Sequence, residues 1–474
     1  MEMFPVTTFA GRTVAVLGLA KSGTSTLRAL RAGGARVLAW DDAPPKRAMA
    51  EAEGASIADF YSMDWRNVAA LVPSPGVPLH APMPHEAVLL ARAAGCEVVG
   101  DMELFARQQR ATAPLTRIAA ITGTNGKSTT TAMLAYVLRA CGCEAIEGGN
   151  LGTPVLDLPK LGDGGTYVLE LSSYQIDLTR TFAADVAVLL NITPDHIDRH
   201  GSMSGYVAAK ERLFLQQRPD QVAVVAVDDD ESRAMYERIH AVRGKKAIPV
   251  SIEKGLGRGV FVQNFALWDA RFGPKNFVAD LRKARLIGVH NWQNIAVAYT
   301  AAVELGCDAK VAAQALLTFP GLPHRIEDVG TIDGVRFVND SKATNADAAA
   351  RALACFGHVY WIAGGRPKEG GIESLKRYDS HIRRSFLIGE AAAAFGATID
   401  SWHPGRQGHE HRYDLCGALQ QAVSDAFAAA RGDDKAVVLL SPACASFDQF
   451  SNFEERGNAF RQLVADLKAT EGAT

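Results

Sequence analysis

Short apolar runs of strand length alternate with helical patterns along the whole chain, and this alternation limits the possible folds more than any other feature. It is typical of α/β proteins with mainly parallel sheets. A chain of 474 residues is long enough for three domains of about 150 residues each. The polar stretch 107–114 and the proline-containing stretch 320–325 are the predicted linkers, which places the domains at 1–112, 113–325 and 326–474.

The segment Ile121–Thr129 joins an apolar run to a helical pattern through a glycine-containing loop. Gly123 and Gly126 would let backbone N–H groups close on an anion, and the N-terminus of the helix adds partial positive charge. Lys127 supplies a full charge, and the Ser128 hydroxyl can ligate a metal ion. The segment therefore predicts a phosphate-binding loop and nucleotide chemistry. An isoleucine stands where the general P-loop signature has its first glycine, so a simple turn with a chance lysine remains the alternative.

Charged side chains also follow two other apolar runs of the central block. Glu170 ends one run, and the next run leads into Asp195, His196 and Asp198. Open α/β sheets bind ligands at the carboxyl ends of their strands, so these groups and Lys127 predict one phosphate and metal site. Mg²⁺ prefers oxygen ligands, which makes an imidazole an unusual ligand, and Mn²⁺ could substitute. Taken alone, the cluster of Asp195, His196 and Asp198 is equally consistent with a solvated loop.

The first apolar run leads into Gly18–Gly23, and Asp41 and Asp42 follow the second run. This spacing suits the diphosphate and ribose of a nucleotide. Ala20 replaces the middle glycine of the dinucleotide fingerprint, so the pattern leaves three possibilities open: a NAD site, a site for another nucleotide-linked ligand, or a plain tight turn.

Several further segments carry polar residues where apolar ones would be expected. In the third block, 339–345 and 441–446 follow strand-like runs and are costly to bury unless a ligand or their neighbours satisfy them. Cys444 is interpreted as a packing residue, because no base accompanies it. Lys210 lies on a predicted short helix and could be an ordinary surface lysine. The segment His290–Asn294 begins a helix and offers asparagines either to an adenine edge or to a helix cap.

Composition excludes some classes of function. The chain has 50 Lys and Arg, 52 Asp and Glu, and a formal net charge of −2, which argues against a nucleic-acid-binding or membrane-surface protein. Its seven cysteines contain no Cys-x-x-Cys pair, so reduced thiols of a cytoplasmic protein are predicted. No apolar run approaches the ~18 residues of a membrane span. We therefore expect small-molecule partners.

Taken together, the motifs resemble the Mur ligase family, ATP-dependent enzymes that form amide bonds in peptidoglycan precursor synthesis. The resemblance covers nearly the whole chain, through VLGLAKSG, GDMELF, TGTNGKST, GGNLG, LELSSYQ, NITPDHIDRH, GVHNWQN, FPGLPHR, NDSKATN, LLSPACASFDQF and NFEERGNAF. GDMELF, LELSSYQ, NDSKATN and SPACAS are similar to the members that add D-glutamate to UDP-N-acetylmuramoyl-L-alanine. The resemblance implies an N-terminal Rossmann-like domain for the UDP part, a central P-loop-type ATPase domain with a mainly parallel sheet, and a C-terminal Rossmann-like domain for the amino acid.

The resemblance also implies roles for individual residues. The UDP-linked substrate would be bound by Lys21, Ser22, Asp41, Asp42, Gly76, Asn150 and Ser172. ATP would be bound by Gly123, Thr124, Asn125, Gly126, Lys127, Ser128, Thr129, Asn291, Arg325 and Asp340. D-glutamate would be bound by Lys342, Thr344, Lys368, Ser446, Phe447 and Phe453. Two Mg²⁺ ions would be held by Ser128, Glu170, His196 and a carbamylated Lys210, and the catalytic residues would be Lys127, His196 and Lys210. The implied enzyme is a cytoplasmic monomer that works through an acyl phosphate.

The chain departs from the family pattern at three places. Ala226 replaces a common asparagine, Phe447 replaces a common leucine, and the loop 366–371, which contains Lys368, differs in sequence from the loop usual in the family. Two other classes of function compete with the ligase. A nicotinamide-dependent oxidoreductase would use Gly18–Asp42 but leaves the phosphate-binding loop unexplained. A regulatory P-loop NTPase leaves the first and third blocks unexplained.

Overall fold

The computed structural model describes residues 4–150, 152–242, 244, 246–286, 288–367, 370–403 and 412–471. The chain divides into two compact units. The first unit comprises Met1–Ala284 and Val289–Phe319, and the second comprises Arg285–Gly288 and Pro320–Thr474. In the described residues the strands form three sheets, two in the first unit and one in the second.

The first sheet is fully parallel in the order β3-β2-β1-β4-β5. Its core strand β1 buries four successive apolar residues, as expected for a strand covered on both faces. The strands are β1 Thr13–Leu17, β2 Arg36–Trp40, β3 Ser56–Ile57, β4 Val68–Pro73 and β5 Glu97–Val98. The helices are α1 Lys21–Ala32, α2 Pro44–Ala52, α3 Glu86–Ala93 and α4 Asp101–Thr112.

The second sheet has the order β14-β13-β12-β11-β10-β9-β6-β8-β7 and is parallel from β7 to β12. Its strands are β6 Arg117–Thr122, β7 Ala145–Gly149, β8 Thr166–Glu170, β9 Val186–Leu189, β10 Val222–Ala226, β11 Lys246–Ser251, β12 Val260–Gln263, β13 Ala266–Asp269 and β14 Asn276–Asp280. Its helices are α5 Lys127–Ala140, α6 Ser173–Asp177, α7 Ile197–His200, α8 Met203–Leu215, α9 Asp230–Ala241, α10 Val289–Glu304 and α11 Ala309–Thr318.

The third sheet has the order β15-β16-β20-β17-β18-β19, and only β15 runs antiparallel to its neighbour. Its strands are β15 Glu327–Ile332, β16 Val335–Asn339, β17 Val359–Gly364, β18 Ile382–Ile388, β19 Tyr413–Gly417 and β20 Val437–Leu440. Its helices are α12 Ala346–Leu353, α13 Ala392–Ser401, α14 Leu419–Ala430 and α15 Phe453–Glu471.

The strand order decides which loops meet. In the second sheet β6 lies between β8 and β9, with Ile121 opposite Glu170 and Thr122 opposite Leu189. In the third sheet β16 pairs with β20, and Asn339 is opposite Leu440. Because these pairs are parallel, the loops that leave their carboxyl ends lie side by side.

The predicted α/β class with mainly parallel sheets is confirmed. The structure adds two local features. The stretch 107–114, predicted as a linker, is helical to Thr112, because α4 buries most of its residues against the core. The antiparallel strands β12–β14 are short and partly exposed. They follow one another without intervening helices, so the strand–helix alternation of the sequence does not predict them. The boundaries of the three domains remain a prediction.

Two other sequence-based expectations concern the whole chain. All seven cysteines are free thiols, as predicted. Over the described ranges, no helix combines the length and the apolar character needed to cross a membrane.

Candidate functional site

The phosphate-binding loop between β6 and α5 depends on its two glycines. Gly126 precedes the helix with a φ of 86°, and Gly123 has a φ of 151°. A Cβ on Gly126 would lie 2.4 Å from the side-chain oxygen of Asn294, and one on Gly123 would lie 2.9 Å from the Cβ of Leu190. No other residue fits these positions without displacing its neighbours.

Part of the loop's backbone is held by the loop after β9. The Thr124 N–H donates to the Asn191 carbonyl (2.8 Å), and the Asn125 N–H donates to the Asn191 side chain (2.8 Å). The Thr124 hydroxyl lies 3.0 Å from the Tyr206 hydroxyl. These two N–H groups therefore fix the shape of the loop. The assignment of 123–129 to ATP stays a prediction, and within it the N–H groups of the helical end, 126–129, are the ones in position to meet a phosphate group.

Two lysines lie at the same backbone carbonyl. The Lys127 ammonium donates to the carbonyls of Gly123 (2.9 Å) and Thr124 (2.8 Å). The Lys210 Nζ also donates to the Gly123 carbonyl (3.0 Å), and it lies 4.6 Å from the centre of the Tyr206 ring. The interpretation of Lys210 as an ordinary surface lysine is wrong, because its side chain is 1% exposed. Burial, and then the positive charge of Lys127, holds the pKa of Lys210 well below its usual range.

The carboxylate of Glu170 lies at the end of the neighbouring strand β8 and is buried. Its Oε1 accepts a hydrogen bond from the Asn150 side chain (2.7 Å), and its buried Oε2 has no hydrogen-bond partner among the described residues. A buried carboxylate oxygen without a partner is costly unless a cation or a donor meets it. A cation or a donor could satisfy this oxygen, and the role of Glu170 as a metal ligand stays a prediction.

His196 stands at the start of α7 in a left-handed conformation with a φ of 53°. Its Nδ1 lies 3.0 Å from the Tyr174 hydroxyl, and its ring is exposed within a cluster of Tyr174, His200 and Tyr206. No group of three or more His, Cys, Asp or Glu side chains in the described part of the chain is arranged to hold a metal ion. That Glu170 and His196 bind metal ions stays a prediction.

The remaining central residues lie beside the loop. Asn291, near the start of α10, accepts from the Asn294 side chain (3.0 Å), and the Thr130 hydroxyl of α5 donates to Asn294 (3.1 Å). Ser128 and Thr129 occupy the first turn of α5. Ser172, predicted to bind substrate, is the N-cap of α6 in a reciprocal capping box with Gln175, so a local structural role also accounts for it.

The two aspartates after β2 differ in their roles. Asp41 is buried and accepts from the backbone N–H groups of Leu19 (2.7 Å) and Ala43 (2.9 Å), so it organises the Gly18–Gly23 turn. Asp42 is exposed. Burial alone would raise its pKa, but hydrogen bonds from Tyr61, His85 and Trp40 outweigh this and lower it.

The other first-sheet residues approach the second sheet within the same unit. The Lys21 ammonium donates to the Gly152 carbonyl. Ser22 hydrogen-bonds to the buried Asp101, whose pKa is raised to about 6 by burial despite several hydrogen bonds to the carboxylate. Gly76 lies in an exposed loop, and the Arg199 guanidinium donates to two carbonyls of that loop, those of Pro75 (3.4 Å) and Val77.

In the second unit, 339–345 and 441–446 meet at the carboxyl ends of β16 and β20. The Asp340 carboxylate accepts from the Ser441 hydroxyl (2.8 Å) and from the Ile326 N–H (3.2 Å). Burial raises the pKa of Asp340 to about 7. The Lys342 ammonium lies 3.7 Å from the centre of the Phe453 ring. The Ser441–Asp340 hydrogen bond joins the two polar segments, and groups outside them satisfy other members: the Ser341 hydroxyl donates to the Phe453 carbonyl (2.8 Å), and the Asn339 amide donates to the Gly457 carbonyl (3.1 Å).

The other predicted site residues of this unit differ in how far they are buried. Thr344 and Arg325 are half-buried, Ser446 is buried, and Phe447 is 63% exposed. Lys368 lies outside the described residues.

Sequence reasoning missed several residues that hold these segments. Arg456 of α15 is buried and donates to the Ser341 hydroxyl (3.0 Å), the Ser341 carbonyl (2.9 Å) and the Cys444 carbonyl (3.1 Å). Arg199 and Asp101 have comparable positioning roles in the first unit. Each of these three residues is a charged side chain within one of the family motifs given above. Its hydrogen-bond partners are distant in sequence, so the motif alone did not indicate the positioning role. Asn191 was easier to find, because it directly follows the apolar run of β9.

The chain was compared with known proteins. Residues 121–302 match the Mur ligase middle domain. A UDP-N-acetylmuramoylalanine–D-glutamate ligase of Phenylobacterium zucineum is 50% identical over 469 residues, 98% of each protein. The enzyme of that name from Rhodospirillum rubrum is 48% identical over 480 residues, covering 100% of this chain and 98% of that protein.

Solved structures of similar fold include UDP-N-acetylmuramate-alanine ligase from Thermotoga maritima, with a TM-score of 0.57, 15% identity, and coverage of 96% of this chain and 100% of that one. A UDP-N-acetylmuramoyl-L-alanyl-D-glutamate–2,6-diaminopimelate ligase gives a TM-score of 0.59 at 17% identity, with coverage of 97% and 93%. At these identities the structures support the fold alone. The sequence identity of 48–50% over nearly the full chain shows the family as well as the fold. The chain belongs to the Mur ligase family, in the group of the UDP-N-acetylmuramoylalanine–D-glutamate ligases.

Proposed function

We propose that this protein is an ATP-dependent ligase that joins the amine of D-glutamate to the alanyl carboxylate of UDP-N-acetylmuramoyl-L-alanine, releasing ADP and phosphate. The full-length identity to ligases of that name supports the substrates. The observation in the fold that carries the proposal is that Lys127 and Lys210 both donate to the Gly123 carbonyl after β6, while Glu170 ends the neighbouring strand β8.

The reaction explains why such a site is needed. A carboxylate is a poor electrophile, so it must gain a leaving group before an amine attacks it. ATP supplies that group when the carboxylate takes the γ-phosphoryl group and becomes an acyl phosphate. The amine then attacks the acyl carbon, and a tetrahedral intermediate expels phosphate. Positioning and charge stabilisation do most of the catalytic work in such phosphoryl transfers.

We assign the phosphate contacts to the helical end of the loop, Gly126–Thr129. Its N–H groups and the helix N-terminus favour an anion, and Lys127 is the nearest full positive charge. Asn291 of α10 is assigned to the nucleotide from the neighbouring helix, and so, in the second unit, are Arg325 and Asp340.

The metal assignments are Ser128, Glu170 and His196, with Lys210 as its carbamate. Mg²⁺, when bound, would neutralise charge on the transferring phosphoryl group. A carbamate would replace a buried cation by an anionic oxygen ligand. The unpartnered Glu170 oxygen and the buried Lys210 amine support this assignment. The binding of two Mg²⁺ ions is part of the proposal, and Mn²⁺ could substitute for them.

The UDP-linked substrate is assigned to the first sheet and the loops beside it, through Lys21, Ser22, Asp41, Asp42, Gly76, Asn150 and Ser172. D-glutamate is assigned to the second unit, through Lys342, Thr344, Ser446, Phe447 and Phe453, together with Lys368. We further propose that the protein is a cytoplasmic monomer with domains at 1–112, 113–325 and 326–474.

A coupled assay tests the function. Phosphate release by the purified protein should require ATP, the UDP-linked acid and D-glutamate together, and the ligated product should appear by mass spectrometry in equal amount. Phosphate release that is indifferent to the amino acid would favour the regulatory NTPase. A preference for L-alanine, L-lysine or meso-diaminopimelate would contradict the choice of acceptor.

A further inference from the structure

Asp42, just after β2, has most of its hydrogen-bonding capacity filled by protein groups. Its Oδ1 accepts from the Tyr61 hydroxyl (2.7 Å) and from the Trp40 indole N–H (3.0 Å). Its Oδ2 lies 2.9 Å from the His85 Nε2. An ionised carboxylate offers about four acceptor positions, so these three neighbours occupy most of them. The Asp42 side chain is 57% exposed, yet it has little capacity left for a direct contact with a ligand.

The second nitrogen of His85 fixes the direction of its bond to Asp42. His85 is the N-cap of α3, and its Nδ1 accepts from the Ala87 backbone N–H (3.2 Å). The proton of the neutral ring is therefore on Nε2, which donates to Asp42. All three neighbours thus donate to one carboxylate. Asp42 joins side chains from three segments: the end of β2, the segment after β3 and the start of α3.

Tyr61 is the member of this network with an aromatic ring that a ligand can reach. Its ring is stacked on that of His85 (centroids 6.2 Å apart, planes at 25°) and lies edge-on to Trp40 (5.9 Å, 89°). The preceding residue, Phe60, is buried and packs against Trp40, which anchors the segment in the core. Even so, 40% of Tyr61 is exposed. The network thus holds an accessible aromatic ring beside the carboxyl end of β2.

The place of Tyr61 in the sheet indicates which part of a nucleotide it would meet. In doubly wound folds the phosphates lie on the turn after the first strand, and an acidic residue at the end of the second strand meets the ribose. Gly18–Gly23 and Asp41–Asp42 occupy those two places here. The next strand beyond β2 is β3, and Tyr61 follows β3. The base extends from the ribose away from the phosphates, so it would come to the side of Tyr61.

We propose that the Tyr61 ring stacks on the uracil ring of the UDP-linked substrate, and that Asp42 is a positioning residue that acts through Tyr61 and His85. This inference rests on the proposed function, which supplies the uridine nucleotide. Every base has a planar face that can stack on an aromatic side chain, and loss of such a stack weakens binding roughly 5- to 150-fold. The hydrogen bonds to Asp42 keep the ring in place before the ligand arrives, so less ordering is needed on binding.

Calorimetry of the full-length protein with the UDP-linked acid measures the stack. Tyr61→Leu should weaken binding roughly 5- to 150-fold, and Tyr61→Phe, which keeps the ring, should lose much less. The matched control is Tyr236→Leu: Tyr236 also stacks on a histidine, His240 (5.4 Å, 15°), but lies in α9 beside the second sheet, so its loss should leave the affinity unchanged. Dihydro-UDP, whose saturated base is neither planar nor aromatic, should compete for the wild-type site more weakly than UDP. In Tyr61→Leu the two nucleotides should compete equally.

A double-mutant cycle separates positioning by Asp42 from direct contact with the substrate. Asp42→Ala should weaken binding in the wild-type background and have little further effect in Tyr61→Leu, because the ring that Asp42 positions is gone. Asp42→Asn, which replaces one acceptor oxygen by a donor, takes its place in the cycle if Asp42→Ala is poorly folded by circular dichroism. Additive losses would overturn the positioning role.

The stack and the proposed function fail in different ways. Equal affinity of folded wild type and Tyr61→Leu for the UDP-linked acid, or equal competition by UDP and dihydro-UDP at the wild-type site, would overturn the stack and leave the proposed function intact. A wild-type protein that does not bind the UDP-linked acid would contradict the proposed function itself, and the stack with it.

Discussion

Replacing Glu103 with alanine should destabilise the first unit by about 3–5 kcal/mol, because it removes the acceptor for several buried donors. Glu103 lies in α4 and is 0% exposed. Its carboxylate accepts from the backbone N–H groups of Arg180 (2.9 Å), Thr181 (2.9 Å) and Phe182 (3.1 Å). It also accepts from the Thr181 hydroxyl (2.6 Å) and the Arg107 guanidinium (2.8 Å). A helix that follows the first sheet thereby holds the segment that enters β9.

The expected loss of stability follows from the number of donors that would lose their acceptor. Each buried donor without a partner costs about 1–3 kcal/mol, and three backbone N–H groups lose theirs. Arg180 and Thr181 are exposed enough for water to replace part of the loss, whereas Phe182 is buried. The full sum is therefore not reached. Glu103→Gln keeps the shape and one acceptor oxygen, and should cost about 1–2 kcal/mol.

Glu97 provides the matched control. It binds the same Arg107 guanidinium (2.6 and 2.9 Å), but its side chain is 28% exposed, and no backbone N–H of the described residues donates to its carboxylate. Glu97→Ala should cost no more than about 1 kcal/mol. A chain of this size need not unfold in two states, so the assay combines the first denaturant transition with hydrogen exchange. Exchange at the amides of 180–182 should accelerate at least roughly a hundredfold in Glu103→Ala.

The pH dependence gives an independent check. Burial alone would raise the Glu103 pKa, but hydrogen bonds from Thr181, Arg180 and Arg107 outweigh it and lower the pKa below the usual 4.5. The carboxylate's contribution is therefore fully present above the unfolded pKa and is lost as the pH falls through the folded one. The gap between wild type and Glu103→Gln should narrow below about pH 4. The reasoning is refuted if Glu103→Ala costs no more than Glu97→Ala.

Four further predictions concern the site. Lys127→Ala should reduce phosphate release at least about a hundredfold while circular dichroism and thermal midpoint stay near wild type, because Lys127 is only half-buried; near-normal turnover would contradict its assignment. Lys210→Ala should lose activity far more than stability and recover partly with a small added carboxylate, and an unmodified Lys210 in the mass spectrum of fully active enzyme would exclude the carbamate. Burial raises the Asp340 pKa from 3.8 to about 7, so its contribution to stability is present below about pH 4 and lost as the pH rises through about 7. Asp340→Asn should therefore flatten the pH dependence of unfolding between about pH 4 and pH 7, whereas an unchanged profile would mean that Asp340 does not titrate there. Calorimetry of the full-length protein should detect binding of the UDP-linked acid and no binding of NADH. Binding of NADH without binding of the UDP-linked acid would favour the nicotinamide-dependent oxidoreductase.

Much of the architecture was predictable, because the information is local. The run 117–122, the glycines after it and the helix at Lys127 are contiguous, so one pattern predicts strand, loop and helix together. Glu170 could be predicted equally well, since an acidic residue directly after a buried apolar run has few structural explanations. The segments 339–345 and 441–446 were found for the same reason, and the strand order then brought them together.

The residues that could not be predicted act over long sequence distances. Glu103 reaches the segment 180–182, and Arg456 reaches Ser341 and Cys444. Charged side chains are rarely buried, so composition assigns them to the surface unless their partners are known. Lys210 shows the same limit: its helix was predicted, but the burial of its amine beside Gly123 depends on how α8 packs.

The loop after β9 links the two halves of the central site. Asn191 fixes the backbone of Thr124 and Asn125, and five residues later the same loop carries His196 in a left-handed conformation. The shape of the phosphate-binding loop is therefore set by a neighbouring strand as well as by its own glycines. Asn191 accepts hydrogen bonds from the Thr124 and Asn125 N–H groups, and these bonds hold the turn of a loop that lacks the first glycine of the general P-loop signature. The groups that we propose for phosphate and metal binding are therefore held in part by the same loop.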